Sequence, residues 1–438
     1  MLDLPRAVAA VRAADPMPVE GRLRSLRGLS LRAVLRGVRV GDEVEVRREG
    51  RRPLRAEVVG FGEGEVLLLP FDRLDGIGPD DPVVPRGHPP TVRVGEGCLG
   101  RVLDGLGLPL DGGPLPPGED RPLHAPPPAP LERPGPARPL ATGVRAIDGL
   151  VTLAEGQRVG VFAGSGVGKT HLLGRIARHG DADVVVVALI GERGRELREL
   201  LDHHLDASAR ARTVVVCATS DQPALTRLRS ASVATALAEG FRDQGARVLL
   251  VMDSLTRLVR AGREVGLAAG EPPSRRGFPP SAFARLPPLL ERAGPAPTGS
   301  ITALYSVLVE GGDLDEPVAD EVRGLVDGHL VLDRDLAERG RWPAVDVVRS
   351  LSRWMPQVTS NTHRAAAQRL RSLVATYEAK RDLVTLGAYD AGRDPRLDDA
   401  LAHLDAIEAF LRQPGTEPCP YPHTVEQLQR AVGGTPTS

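Results

Sequence analysis

The chain has 438 residues, enough for two or three domains that each bury a core of their own. Its 56 basic and 57 acidic residues almost cancel, and seven phenylalanines, four tyrosines and two tryptophans are too few for a base-stacking surface, so no nucleic acid partner is expected. Three scattered cysteines, no apolar run of membrane-spanning length and no signal-peptide pattern predict a soluble cytoplasmic protein.

The first domain predicted along the chain is an all-β domain at residues 21–93. Short apolar runs such as Glu43-Val-Glu-Val and Glu65-Val-Leu-Leu-Leu are separated at close intervals by glycine and proline. This pattern is typical of a small antiparallel barrel or sandwich. We place the end of the domain near Val94, upstream of residues 114–139, where eleven prolines predict an extended connector over the surface.

Beyond the connector, apolar runs alternate with helical patterns. The runs that predict strands lie at residues 158–163, 184–190, 213–218, 248–252, 301–309 and 329–332. Continuous β-branched strands alternating with helices indicate a parallel sheet covered on both faces, in a second domain of residues 94–359. From residue 360 the prolines become rarer and helical spacing returns, which predicts a helical third domain at residues 360–438.

A glycine-rich loop, Ala163-Gly-Ser-Gly-Val-Gly-Lys-Thr170, lies between a predicted strand and a predicted helix. It matches the phosphate-binding pattern G-x-x-x-x-G-K-[S/T] except for alanine at the first position. We expect the backbone N–H groups and the Lys169 ammonium to bind the phosphates of ATP, and the Thr170 hydroxyl to bind Mg²⁺. The predicted nucleotide-binding residues of the loop are Gly164, Ser165, Gly166, Val167, Gly168, Lys169 and Thr170.

Lysine is rare in this chain, since the 56 basic residues include only Lys169 and Lys380. A compact ammonium on a flexible stem fits between phosphates, whereas a planar guanidinium does not. The lysine within the glycine-rich loop therefore supports the phosphate-binding interpretation.

Two acidic residues follow predicted strands of the same sheet. Glu192 comes two residues after the run at 184–190, and Asp253 directly after the run at 248–252. The carboxyl ends of parallel strands form the crevice where α/β sheets bind ligands. Asp253 is expected to help hold Mg²⁺. Glu192 is a candidate for activating the attacking water, although its spacing equally fits a solvated helix start. Together with the loop, these residues predict a P-loop ATPase.

Long stretches of the chain resemble type III protein-export ATPases, the group of injectisome and flagellar export enzymes that is similar to the catalytic subunit of rotary ATP synthases. The similarity runs over about residues 22–413 and includes Ala188-Leu-Ile-Gly-Glu-Arg-Gly-Arg-Glu, Ala218-Thr-Ser-Asp-Gln-Pro-Ala, Asp253-Ser-Leu-Thr-Arg, Leu289-Leu-Glu-Arg-Ala-Gly and Trp342-Pro-Ala-Val-Asp-Val. The resemblance implies an N-terminal β-barrel, a central RecA-like P-loop ATPase domain with a parallel sheet, and a C-terminal helical domain.

The resemblance also implies roles for single residues. Glu192 matches the catalytic glutamate, where noncatalytic rotary subunits have glutamine. Arg353 matches the arginine finger that reaches the γ-phosphate of a neighbouring subunit; without the resemblance, a surface ion pair is the simpler interpretation. Trp342 stands where a tyrosine usually stacks near the adenine, so base selectivity stays open, and a core aromatic is the alternative. Residues 271–280 correspond to a region near the central pore, or form a solvated loop.

A finger supplied in trans requires a ring, and the resemblance implies a homohexamer with the barrels as a collar. It further implies a coiled-coil stalk protein in the pore and export chaperone–cargo complexes at the C-terminal domain. A stator or regulator protein would bind residues 1–20, where Leu4, Val8 and Val11 form a weak apolar stripe. The expected location is the cytoplasm, peripherally at the inner face of the bacterial inner membrane, on the export apparatus.

Three alternatives to an injectisome ATPase stay open. The runs Arg275-Arg276-Gly277-Phe278 and Pro317-Val318-Ala319-Asp320 favour the injectisome over the flagellar export system. A rotary ATP synthase subunit would share the nucleotide site, but the Gly-Glu-Pro-Pro run at 270–273 and the short C-terminal domain argue against it. A ring-shaped RNA helicase should have aromatic residues on its barrel, and only Phe61 and Phe71 occur between residues 20 and 92.

Overall fold

A computed structural model describes residues 20–415 and 417–434. Within them lie an N-terminal closed barrel, a central domain built on a parallel sheet, and a C-terminal helical region, so the predicted fold class is confirmed. The predicted partner-binding segment at residues 1–20, with its apolar stripe, lies outside the described residues except for Glu20. In the described part of the chain, no helix is both long enough and apolar enough to cross a membrane.

Six antiparallel strands close the barrel in the order β1-β2-β5-β4-β3-β6. Their bounds are Gly21–Arg27 (β1), Ser30–Val34 (β2), Glu43–Val46 (β3), Leu54–Gly62 (β4), Glu65–Pro70 (β5) and Pro82–Pro85 (β6). Alternate residues of each strand point inward, as Leu54, Ala56 and Val58 do in β4, and form the core of the barrel. Gly28 and Gly64 have φ of 59° and 80° and supply the left-handed positions of the two hairpin turns.

Between the barrel and the central sheet, the proline-rich connector is partly ordered as strand. β9 (Glu119–Pro122) pairs antiparallel with β7 (Thr91–Val94), close to the predicted domain boundary. Val92 and Val94 belong to the core of the central domain rather than to the core of the barrel. The connector therefore lies along the central domain and is held there by backbone pairing.

The central sheet has nine strands in the order β19-β18-β12-β17-β15-β13-β14-β8, with β16 beside β17. Their bounds are Val102–Asp104 (β8), Arg158–Ala163 (β12), Val184–Ile190 (β13), Thr213–Ala218 (β14), Arg247–Asp253 (β15), Gly294–Pro295 (β16), Ser300–Leu308 (β17), Gly328–Leu332 (β18) and Leu351–Ser352 (β19). All neighbours from β18 to β8 run parallel, whereas β16 and β19 are antiparallel. A further two-stranded sheet joins β10 (Pro139–Leu140) to β11 (Leu153–Ala154).

Helices cover both faces of the sheet, as the continuous apolar strands predict. The helices of the central domain are Arg145–Leu150, Lys169–His179, Gly194–Glu199, Ala207–Ala211, Ala224–Asp243, Leu255–Ala268, Pro280–Ala284, Leu286–Leu290, Pro317–Leu325, Arg334–Glu338 and Met355–Val358. The helix Gly194–Glu199 is followed directly by a π-helical turn, Leu200–His204.

Three helices form the C-terminal region: Asn361–Thr385, Pro395–Leu411 and Tyr421–Ala431. The side chains of Ser360 and Asp394 cap the first two by accepting backbone N–H bonds. The segment after the second helix returns to the central domain, where the Gln413 backbone N–H donates to the Trp342 carbonyl at 2.8 Å. The C-terminal region is therefore held to the central domain at Trp342.

The barrel is joined to the central domain by a buried arginine. Arg229, on helix Ala224–Asp243, donates to the carboxylates of Glu43 and Glu57 on the barrel. Its guanidinium carbon lies 4.6 Å from the centre of the Phe71 ring. Although burial alone would raise it, the Arg55 and Arg229 guanidiniums hold the pKa of Glu43 below its usual value.

Replacing Arg229 by alanine is expected to lower the free energy of unfolding by about 3 kcal/mol, because Glu57 would lose its buried guanidinium partner. Urea denaturation monitored by circular dichroism measures the loss. Arg73→Ala is the matched control, since the Arg73 pair with Asp75 is 82% and 62% exposed and should contribute below about 1 kcal/mol. Equal losses in the two variants would contradict a special contribution of the buried pair.

Candidate functional site

The glycine-rich loop connects the buried strand β12 to helix Lys169–His179. Gly166 and Gly168 have φ of 79° and 80°, a left-handed conformation that turns the loop over the first turn of the helix. Successive backbone N–H groups in such a turn form a concavity that binds anions, and the helix N-terminus adds a positive partial charge. The loop therefore fits the phosphates of a nucleotide.

Lys169 and Asp253 meet at the carboxyl edge of the sheet. Only 9% of Lys169 and 3% of Asp253 are exposed, and the Lys169 ammonium donates to Asp253 Oδ1. The Ser306 hydroxyl, on β17, donates to the same oxygen and lies 3.5 Å from Lys169 Nζ. Asp253 and Ser306 come together because β15 and β17 are direct neighbours in the parallel sheet.

Glu192 lies two residues after the end of β13 and is 4% exposed. Arg257, on the helix that follows Asp253, donates from Nε to Glu192 Oε1 at 3.0 Å. The preceding Gly191 has φ of 65°, so a left-handed turn places Glu192 at the strand end. The solvated helix start that the spacing also allowed is not what the structure shows for Glu192.

Glu196 lies near Glu192 and Asp253, and it is half-buried. Burial, together with the carboxylates of Glu192 and Asp253, raises the pKa of Glu196. Three acidic side chains therefore lie around one crevice, next to the Lys169 ammonium. Such a concentration of carboxylates with one shifted pKa is typical of catalytic sites.

The Thr170 hydroxyl and the Asp253 carboxylate are oxygen donors of the kind that Mg²⁺ prefers. Together with Glu196 they line one small cavity, whose other walls are apolar side chains such as Leu173 and Leu200. Among the described residues, no cluster of three His, Cys, Asp or Glu side chains forms a metal cage. Mg²⁺ commonly keeps several waters and takes only one or two protein ligands together with substrate phosphates, so this donor set fits it.

Trp342 lies beside the loop rather than in the core. Its side chain is 44% exposed, and a Cβ added to Gly168 would lie 2.7 Å from its ring. The core aromatic considered as the alternative is therefore wrong for this residue. The contact also gives a reason for glycine at position 168, since any larger residue would collide with the indole.

Arg353 lies far from the loop of its own chain. It is exposed, and its backbone N–H donates to the Asp327 carbonyl, just before β18 begins. The loop follows the other end of β12, which runs parallel to β18 from Val159 to Ala163. A strand of this length separates the two by roughly 15 Å, at about 3.3 Å per residue.

Three residues of the site were missed by the sequence interpretation: Ser306, Arg257 and Glu196. Arg257 and Glu196 stand inside quoted motifs, four residues after Asp253 and Glu192 respectively, in the first turn of the helix that follows each strand. Ser306 is a single hydroxyl in the apolar strand β17 and had no comparable signal. Only the pairing of β17 with β15 shows that its hydroxyl faces Asp253.

Comparison with known proteins agrees with this geometry. The model of the ATP synthase alpha/beta family, nucleotide-binding domain, matches residues 143–352. The model of the type III secretion EscN ATPase C-terminal domain matches residues 359–430. The type 3 secretion system ATPase of Pseudomonas syringae pv. tomato is 49% identical over 95% of each chain. The flagellum-specific ATP synthase of Bacillus subtilis is 45% identical over 94% of this chain and 95% of the relative.

Solved structures give the same result. The assembled ATPase EscN of the type III secretion system of enteropathogenic E. coli superposes with a TM-score of 0.89 at 45% identity, covering 94% of this chain and 100% of that chain. EscN in complex with its central stalk EscO gives a TM-score of 0.87 at the same identity, and the coverage of both chains is also the same. The chain therefore belongs to the family of type III secretion and flagellar export ATPases, and it is an ATP-hydrolysing enzyme.

Proposed function

We propose that this ATPase works as a homohexameric ring that energises type III protein export, with Mg-ATP as its substrate. The position of Arg353 carries the proposal, because an arginine finger at the far end of its own sheet can act only on a neighbour's nucleotide. A head-to-tail interface that repeats this contact closes into a ring. EscN, a relative of 45% identity, is known as an assembled ATPase and in complex with a central stalk.

Within each site, Lys169 and the loop amides bind the phosphates. Thr170 and Asp253 would hold Mg²⁺, and the ion would supply positive charge near the developing negative charge. The Glu192 carboxylate orients a water toward the γ-phosphate and accepts its proton. Arg257 holds that carboxylate in place through its 3.0 Å bond. Trp342, exposed beside the loop, stacks near the base.

The proposed partners follow from the surfaces of the ring. Residues 271–280 face a coiled-coil stalk protein in the pore. An ion pair between Arg275 and Asp320, at 3.2 Å, links this loop to the helix Pro317–Leu325. The C-terminal helices receive export chaperone–cargo complexes, and residues 1–20 bind a stator or regulator. The enzyme is cytoplasmic and associates peripherally with the export apparatus at the inner membrane. We infer that the system is an injectisome, with flagellar export as the second candidate.

Two measurements test the proposal. Sedimentation of the purified chain with a non-hydrolysable ATP analogue and Mg²⁺ should show a six-subunit particle; a persistent monomer would contradict the ring. Affinity purification of the tagged chain from its native cell should recover injectisome components, whereas flagellar components alone would select the second candidate. A Lys169→Ala chain is the control, since its ATPase activity should be lost while its barrel and C-terminal contacts remain.

A further inference from the structure

Ser306 lies where the lysine of the loop and the aspartate of β15 meet. It is fully buried on β17, between Tyr305 and Val307, which are also buried. Its hydroxyl donates to Asp253 Oδ1 and lies 3.5 Å from Lys169 Nζ. The hydroxyl therefore contacts the Lys169 ammonium and the Asp253 carboxylate at once.

The chemistry of a hydroxyl suits it to this position. A serine has one O–H donor and two acceptor lone pairs, so it donates to Asp253 and still accepts from Lys169. Both Lys169 and Ser306 donate to the same carboxylate oxygen, Oδ1. A carboxylate held through one oxygen presents its other oxygen, Oδ2, in a fixed direction.

Nucleotide binding changes this arrangement. Lys169 cannot pair fully with Asp253 and with phosphates at the same time, so the ion pair weakens when the phosphates are bound. A buried carboxylate that loses its partner is costly, and it is free to take up other rotamers. Ser306 needs no movement to keep its bond to Asp253, because it lies on the rigid strand that pairs with β15.

We infer that Ser306 is a positioning residue, which keeps Asp253 oriented toward Mg²⁺ when Lys169 turns to the phosphates. The inference rests on the proposed roles of Lys169 and Asp253. Ser306 therefore contributes to the nucleotide affinity that Mg²⁺ adds, and it does not bind the phosphates itself. Loss of the hydroxyl should therefore affect the site only when the metal is present.

The test compares ADP affinity in Mg²⁺ with ADP affinity in EDTA, using the full chain and the fluorescence of Trp342 beside the loop as the signal. Mg²⁺ raises ADP affinity by some factor in the natural chain, and in Ser306→Ala this factor should be about tenfold smaller. Tenfold is about the effect of losing one hydrogen bond to a charged group. Its affinity in EDTA should match that of the natural chain. Ser306→Thr should restore the Mg²⁺ effect, because threonine carries the same hydroxyl.

Thr302→Val is the matched control, since Thr302 lies on the same face of the same strand, four residues earlier. Its buried hydroxyl accepts from the Gly156 N–H at 2.9 Å, away from the nucleotide site. This variant should lose stability but keep the full Mg²⁺ effect. If Ser306→Ala does not fold, Ser306→Cys keeps the volume with only a weak donor and has the same expectation.

An unchanged Mg²⁺ effect in Ser306→Ala, or an equal loss in Thr302→Val, would overturn the inference. Failure of the proposed function gives a different result. In that case Lys169→Ala would leave ADP affinity in EDTA unchanged, whatever the Ser306 variants do. The two outcomes are therefore read from different variants under different conditions.

Discussion

Glu192→Gln should lower the rate of ATP hydrolysis by about 10²–10⁴ while nucleotide affinity stays within a few-fold of that of the natural chain. Glutamine has the shape of glutamate and its carbonyl oxygen still accepts a bond from Arg257, so the crevice keeps its geometry. It cannot take a proton from water, which removes the proposed general base. Steady-state phosphate release gives the rate, and ADP titration gives the affinity.

Glu199→Gln is the control for the Glu192 variant. Glu199 lies on the following helix with its side chain 52% exposed, 3.9 Å from His204. Its replacement removes the same charge from the same segment without touching the crevice, so activity should be retained. Full activity in Glu192→Gln would exclude Glu192 as the base and would direct attention to Glu196, the neighbouring carboxylate whose pKa is raised by burial and by Glu192 and Asp253.

Arg353→Ala should lower turnover by about 10³–10⁵, the usual contribution of an arginine finger to phosphoryl transfer. The physical reason is that, in the proposed ring, the variant loses a positive charge facing the transferring group in the neighbouring subunit. Nucleotide affinity of the isolated chain should not change, because Arg353 lies at the opposite edge of its own sheet. Arg369→Ala, which removes an exposed guanidinium from the C-terminal helices, should keep full activity.

Mixing two inactive variants separates action in trans from action in cis. Arg353→Ala subunits retain an intact loop, and Lys169→Ala subunits retain an intact finger. In a mixed ring, some interfaces combine the intact loop of one with the intact finger of the other, so ATPase activity should reappear. Mixtures as inactive as their components would contradict a finger supplied by the neighbour.

The nucleotide site illustrates how far sequence reasoning extends. The loop, Glu192 and Asp253 each follow a recognisable strand, and parallel strands end at one edge, so their convergence is predictable from order along the chain. Ser306 has no such signal, because a serine in an apolar strand is equally compatible with any buried hydrogen bond. Its role depends on the order of strands in the sheet, which local sequence does not encode.

Two arginines also separate what the sequence predicts from what only the tertiary structure shows. Arg229 is one of many arginines in helical segments, and only the docking of the barrel makes it a buried partner of Glu43 and Glu57. Arg353 was placed by family resemblance alone. The structure adds that β18 and β12 run parallel, so that its own loop is beyond reach.

The sequence by itself determined the phosphate-binding loop from Gly164 to Thr170, the alternation of strands and helices around it, and the family, because each is encoded by neighbouring residues in a periodic or contiguous pattern. Only the tertiary structure decided that Ser306 and Lys169 share one oxygen of Asp253 and that Arg353 lies at the opposite end of the strands from its own nucleotide site. These are contacts across strands distant in sequence, and they depend on sheet order and on directions of side chains that no local pattern contains.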